Sequence, residues 1–171
     1  MKKLVIIISM LGLLCCSPFH QVQPFYSVET VKMAILPFTG RGAGISQRSG
    51  HIAADRLTTY LYLKKQISVV DRSQVSHVLH HLGIKNTYFL GKKELIEIAD
   101  TLDASIVVLG LLENEAKQAH WKTPVNTLTV TLRFLDGKTG EILHILHKRD
   151  QVKSEPDSFA DTLLKTMVCN L

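Results

Sequence analysis

The sequence predicts an α/β domain, a mixed sheet of about five strands flanked by about four helices. Three observations predict it. Short apolar runs alternate with stretches whose apolar residues recur three and four apart. One long stretch switches to a period of two. Turn residues separate the two kinds of segment. With 171 residues, the chain has room for one ordinary domain after a leader. A composition of 46% hydrophobic against 20% charged residues supports a compact core and excludes a disordered or low-complexity chain. A domain of this size buries roughly 70% of its unfolded surface, so neither a metal nor a disulfide is required for folding.

The first element is not part of that domain. Lys2-Lys3 precedes an apolar run from Leu4 to Leu14, the pattern of an export signal and too short to span a bilayer. The run closes on Leu13-Leu14-Cys15-Cys16-Ser17, which resembles a bacterial lipobox. Counting back from Cys16 puts Leu13 at the favoured position and the smallish Cys15 at the last one. Residues 1–15 are therefore read as a lipoprotein signal peptide and Cys16 as the lipidated residue, carrying palmitate-type acyl chains. Residues 16–31, with Pro18 and Pro24, form a tether, and residues 32–171 the domain. Ser17 beside the anchor lacks the acidic character that resembles inner-membrane retention, so the expected location is the outer membrane, on its periplasmic face. The 20 basic residues include Lys2 and Lys3, so loss of the leader lowers the net charge from +5 to +3. The remaining Lys and Arg are scattered in ones and twos, which argues against nucleic acid as a partner.

Within the domain, Lys32 to Phe38 reads as a buried strand closed by Pro37, and Thr39 to Ile45 as a loop. Ile52, Ala53, Leu57, Tyr60 and Leu61 then mark an amphipathic helix. Ile67 to Val70 is a second strand. Ser73 caps a helix with the stripe Val75, Val78, Leu79 and Leu82, closed by Gly83. Leu95, Ile98, Ala99 and Leu102 give a third helix, and Ala104 to Leu112 a central strand. Leu128, Val130, Leu132 and Phe134 alternate with Thr127, Thr129, Thr131 and Arg133, one face on the core and one in water, as in a strand antiparallel to its neighbour. Asp136 to Gly140 turns this strand into Glu141 to His147. A last helix carries Phe159, Ala160, Leu163, Leu164, Met167 and Val168, with Cys169 expected as a buried, unpaired thiol at its end.

Several strings in this order, Met33 to Phe38 (MAILPF), Ala54 to Leu61 (ADRLTTYL), Val69 to Gln74 (VVDRSQ), Leu82-Gly83-Ile84, Ala104 to Gly110 (ASIVVLG) and Phe134 to Leu143 (FLDGKTGEIL), resemble the CsgG-type family. That family includes the curli secretion channel lipoprotein, lipoprotein activators of penicillin-binding proteins and flagellar outer-membrane accessory lipoproteins. The resemblance covers Lys32 to about Leu146. It implies a periplasmic domain that binds and assembles rather than catalyses, with an envelope protein as partner, a possible homo-oligomer, and no cofactor. The family's secretion channel inserts two long hairpins, each with strands of about 9 to 11 residues. This chain offers one sizeable hairpin, joining Ile106 to Leu135 across Asn114 to Val125, and its strands already belong to the sheet. A soluble accessory domain is expected in place of a pore.

Candidate chemistry is sparse. Gly40, Gly42 and Gly44 between a strand and a helix, with Asp71 ending the second strand, would suit a nucleotide-binding enzyme, although the spacing departs from the dinucleotide fingerprint by one residue. A capped turn at Asp71 explains the acid equally. His77 and His81 lie four apart on one helix face, where zinc would need a third ligand that is not evident nearby, so no metal is expected. His144 and His147, three apart on a strand, face opposite ways. The pairs Asp100 and Asp103, and Glu94 and Glu97, read as solvated helix faces, and no nucleophile motif is present, so the chain is not expected to be an enzyme. Aromatic residues dominate binding hot spots, which makes Trp121, Tyr88 and Phe89 the candidate partner-binding residues, alongside Tyr60 and Tyr62. The alternatives for the partner are a secretion or assembly component and a peptidoglycan synthase.

Overall fold

A computed structural model describes residues 31–117, 125–152 and 155–171. The leader, Cys16, the tether and Trp121 lie outside the described residues. The chain forms a mixed α/β sandwich with a six-stranded sheet and four α-helices among them. In chain order the elements are β1 (Lys32–Ile35), β2 (Thr39–Gly42), α1 (Gln47–Lys65), β3 (Ser68–Val69), α2 (Arg72–His81), a 3-10 turn (Thr87–Phe89), α3 (Lys92–Thr101), β4 (Ile106–Lys117), β5 (Val125–Asp136), β6 (Ile142–Gln151) and α4 (Pro156–Cys169).

The sheet runs β3-β1-β4-β5-β6, with β2 also on β4. β1 pairs in parallel with β3 and β4, and β5 is antiparallel to both β4 and β6. Two expectations need correcting here. Thr39 to Gly42 is a strand, not a loop: Pro37 has no N–H to give the ladder, so the line of β1 breaks there and resumes as β2, with Thr39 opposite Leu111 and Gly42 opposite Asn114. This adds the sixth strand. The central hairpin is also longer than expected, because its strands extend to Lys117 and from Val125; Asn114 belongs to β4, between Gly42 and Leu128, and is not in the connection.

Period-two alternation divides the sheet into two faces. Met33, Ile35, Ile106, Val108, Leu112, Leu128, Val130, Leu132 and Phe134 pack on one face under α1 and α4, which contribute Leu57, Leu61, Leu163 and Leu164. Ala34, Leu36, Val107, Leu109 and Leu135 pack on the other under α2 and α3. Leu135 marks the limit of that second cover. Beyond it, the same face of β5 and β6 carries buried Thr127 and Thr129, half-buried Thr131 and Arg133, and exposed Ile145, His147 and Arg149. The sheet is therefore closed on one side and half open on the other.

Helix ends follow capping chemistry. Ser46 accepts from the N–H of Ser49 and opens α1 as a capping box. α2 is capped by Asp71, not by Ser73 as its sequence suggested, because the carboxylate two residues earlier accepts from the Ser73 N–H at 2.8 Å. Cys169 is exposed, not buried: Met167 and Val168 complete the apolar stripe of α4, and the next residue turns outward, where the Lys64 ammonium lies 3.4 Å from Sγ. Among the described residues no helix is long and apolar enough to cross a membrane.

Candidate functional site

The open face of the sheet is bordered by an aromatic knuckle. Thr87 anchors it: the side chain is buried and its hydroxyl donates to the carbonyl of Pro37 at 2.7 Å. Asn86 caps the turn, its Oδ1 accepting from the Tyr88 N–H at 2.8 Å and from the Thr39 hydroxyl at 3.3 Å. The next two residues are thereby turned outward. The rings of Tyr88 and Phe89 meet edge to face, with centroids 5.0 Å apart and planes at 88°. Phe89 is 75% exposed, the most exposed of the large hydrophobic side chains among the described residues.

Arg41 completes the cluster. It stands on β2 with its guanidinium carbon 4.0 Å from the Tyr88 ring centroid, a cation–π contact worth about 0.5–1 kcal/mol at an exposed site. In the sheet Arg41 is opposite Glu113, Glu113 opposite Thr129, and Thr129 opposite Arg149, so one row links the knuckle to the open face. On β6 and β4 the row continues in charge, with Arg149 bound to Glu115 at 2.9 Å. The Thr131 hydroxyl and His147 Nδ1 lie 3.0 Å apart on the same face. A rigid aromatic anchor rimmed by polar and charged groups can contact a macromolecule with little ordering cost.

Of the candidate residues named from the sequence, the structure brings Tyr88 and Phe89 together; Trp121 and Cys16 lie outside the described residues. Tyr60 is engaged elsewhere, its hydroxyl donating to Asp161 at 2.6 Å, while Tyr62 is 61% exposed on α1. Arg41 was not legible as a member of the cluster, because its partner Tyr88 follows an intervening strand and two helices; an Arg between two glycines was the only local signal.

The glycine-rich stretch has a packing role. Gly42 has φ +92°, and a Cβ there would collide with the backbone of Asn114, so a side chain is excluded by the approach of β2 to β4. Asn114 is itself buried, and its Nδ2 donates to the Ala43 carbonyl at 2.6 Å. Asp71 is used as the cap of α2, and the Ser73 hydroxyl and N–H hold its carboxyl below the usual range. His77 and His81 are both exposed, and among the described residues no group of three or more His, Cys, Asp or Glu is placed to hold a metal ion. His144 lies on the core side against Phe134 and His147 on the open side against Thr131, facing opposite ways as their spacing required. Glu94 accepts from the Gly91 N–H at 2.7 Å at the start of α3, and Asp103 lies 3.6 Å from the Lys32 ammonium.

No family model matches the chain, and no curated protein matches it in sequence. Solved structures do match in fold. Lipoprotein GNA1162 from Neisseria meningitidis aligns with a TM-score of 0.58 at 11% identity, over 82% of this chain and 97% of that one. A protomer of the PelC dodecamer from Paraburkholderia phytofirmans gives 0.55 at 17% identity, over 82% and 86%. The LpoB C-terminal domain from Salmonella enterica gives 0.52 at 16% identity, over 71% and 83%. These likenesses establish a shared fold.

Proposed function

We propose that this chain is an envelope lipoprotein of the CsgG type, held to the periplasmic face of the outer membrane through acylated Cys16, whose α/β domain captures an envelope protein and catalyses no reaction. The exposed, clamped Phe89 carries this reading. Exposing a large ring costs solvation, yet Asn86, Thr87 and Arg41 all act to hold the turn outward, which is expected of a contact residue and not of a packing one. The lipobox-like end of the leader and the fold shared with lipoprotein GNA1162 support the anchoring half. Buried acyl chains contribute about 0.8 kcal/mol per methylene, so several chains on Cys16 hold the domain stably to the membrane.

The partner is a secretion or envelope-assembly component; a peptidoglycan synthase is the alternative the family resemblance offers. Pull-down from crosslinked envelopes tests the reading. Wild type should retain one or a few envelope proteins, Phe89→Ala should lose them while staying at the membrane, and Cys16→Ala should leave the membrane fraction. Recovery of the same proteins by Phe89→Ala would remove the knuckle from the account.

A second reading, self-assembly, is favoured by one observation. The edge strand β6 exposes Ile142, Leu143 and Ile145 at 52%, 43% and 50%, a short apolar stretch on a sheet edge of the kind that can pair with a second copy. The PelC relative in fold is a dodecamer. Sedimentation of wild type against Ile145→Lys separates the two: a shift to smaller species in the variant supports assembly through β6, and identical sedimentation opposes it.

A further inference from the structure

A second feature of different chemistry lies at the carboxyl end of β1. It is an open cleft of about 590 Å³ between the start of α1, the end of α2 and residues 84–87. Topology creates it: α1 follows β1 onto one face of the sheet, and α2 follows β3 onto the other. The volume falls within the range of about 300–1,000 Å³ that takes a small molecule.

The lining has a one-sided polarity. Phe38, Leu79 and Ile84 form an apolar part, while His51, His80 and Lys85 bring basic groups, and no Asp or Glu lines the cleft. The hydrogen bonds around it consume acceptors and leave donors. Arg72 Nη2 lies 2.9 Å from His51 Nδ1. A guanidinium can only donate, so Nδ1 supplies its lone pair and the ring proton sits on Nε2. His51 therefore has a donor left over. Asn86 spends Oδ1 on Tyr88 and Thr39, which leaves its amide N–H groups for other partners. The carboxylate nearest this network, Asp55, is taken by Arg72 Nε at 2.6 Å, and Arg72 still keeps a buried Nη1 with no partner among the described residues.

We propose that this cleft is a binding site for a small organic anion, a phosphate monoester or a carboxylate on an apolar body. The acid group accepts from Lys85 and the His51 and Asn86 N–H groups, and the body lies against Ile84. A cation of the same shape meets the Lys85 ammonium and no carboxylate, and is disfavoured. The site adjoins the aromatic knuckle, sharing Thr39, Asn86 and Thr87 with it, but uses neither Tyr88 nor Phe89 and does not depend on the partner-capture reading.

Amide and imidazole NMR of the full chain, titrated with phenyl phosphate, benzoate and benzamidine, tests the site. Either anion should shift Lys85, Asn86, Thr87 and the His51 Nε2–H saturably below about 10 mM, and benzamidine should not. Saturation by phenyl phosphate alone assigns a phosphate ligand; saturation by benzoate alone assigns a carboxylate. Lys85 and His80 are exposed, so Lys85→Glu and, separately, His80→Glu should keep the wild-type Tm and weaken the anion, Lys85→Glu about tenfold or more by losing a charge-assisted contact and His80→Glu by placing a carboxylate in the lining of the cleft. The proposal is overturned if neither anion saturates those signals, if benzamidine produces the same shifts, or if both variants bind as the wild type does.

Discussion

The hydroxyl of Tyr60 donates to Asp161 Oδ1 at 2.6 Å, tying the outer flank of α1 to α4 over the larger of the two cores. Arg56 stands 3.8 Å from the same carboxylate, so the three side chains form one small network. Tyr60→Phe removes the donor and keeps the ring. It should cost about 1 kcal/mol in chemical denaturation, the usual net worth of one hydrogen bond. The bond to Asp161, with lesser help from burial and from the carboxylate's charge, raises the phenol above its ordinary 10.0. A folded-state value above the unfolded one means that this stabilisation is fully present below pH 10 and is lost as the pH rises through the folded value. Alkaline unfolding curves of wild type and Tyr60→Phe should therefore converge at high pH.

Two carboxylates act in the opposite sense. Asp71 is held below 3.8 by the hydroxyl and N–H of Ser73, and Asp136 by the N–H groups of Thr139 and Lys138 in the β5–β6 turn, the Thr139 contact being the larger. Their stabilisation is present above the ordinary carboxylate value and is lost as the pH falls through the depressed folded values. Acid titration followed by circular dichroism should show wild type losing stability more steeply below about pH 4 than Asp71→Ala or Asp136→Ala, each of which starts from a lower Tm at pH 7.

Gly110 lies under the ring of Phe38 in the middle of β4, where an added Cβ would overlap the ring. Phe38 is 3% exposed and its N–H donates to the Gly50 carbonyl in α1, so the ring has no room to retreat. Gly110→Ala should destabilise by about 1–3 kcal/mol through overpacking. The double variant Gly110→Ala, Phe38→Leu should recover part of the loss in the same denaturation assay.

The large elements were legible because their burial is periodic. Leu128 to Phe134 alternate as a strand with one covered face must, and Val75, Val78 and Leu79 repeat as a helix stripe must. β2 was illegible: Thr39-Gly-Arg-Gly has no apolar period, and it is a strand only because β4 extends far enough to pair with it. The cap of α2 was misplaced by two residues because Asp71 and Ser73 are both good capping residues, and only the hydrogen bond distinguishes them. At the candidate site, Tyr88 and Phe89 could be named as aromatic residues in a polar stretch. The contact with Arg41 depends on chain crossings that no local spacing encodes. The acid-free cleft was missed for the same reason, since its basic groups come from α1, α2 and the segment after α2.

Phe89→Ala should leave global stability within about 0.5 kcal/mol of wild type, since the ring is mostly in water. Its expected effect is on capture of the partner, a loss of about 2 kcal/mol or roughly thirtyfold in affinity, as for a hot-spot residue. Arg41→Ala should give a smaller loss, because it acts on the Tyr88 ring and not at the exposed tip.

Site-specific photocrosslinking from position 89 in intact envelopes tests the central claim most directly. The account predicts a discrete adduct with an envelope protein that is absent when the same crosslinker replaces exposed Leu63 on α1. Absence of any adduct at position 89, or the same adducts from position 63, would contradict it.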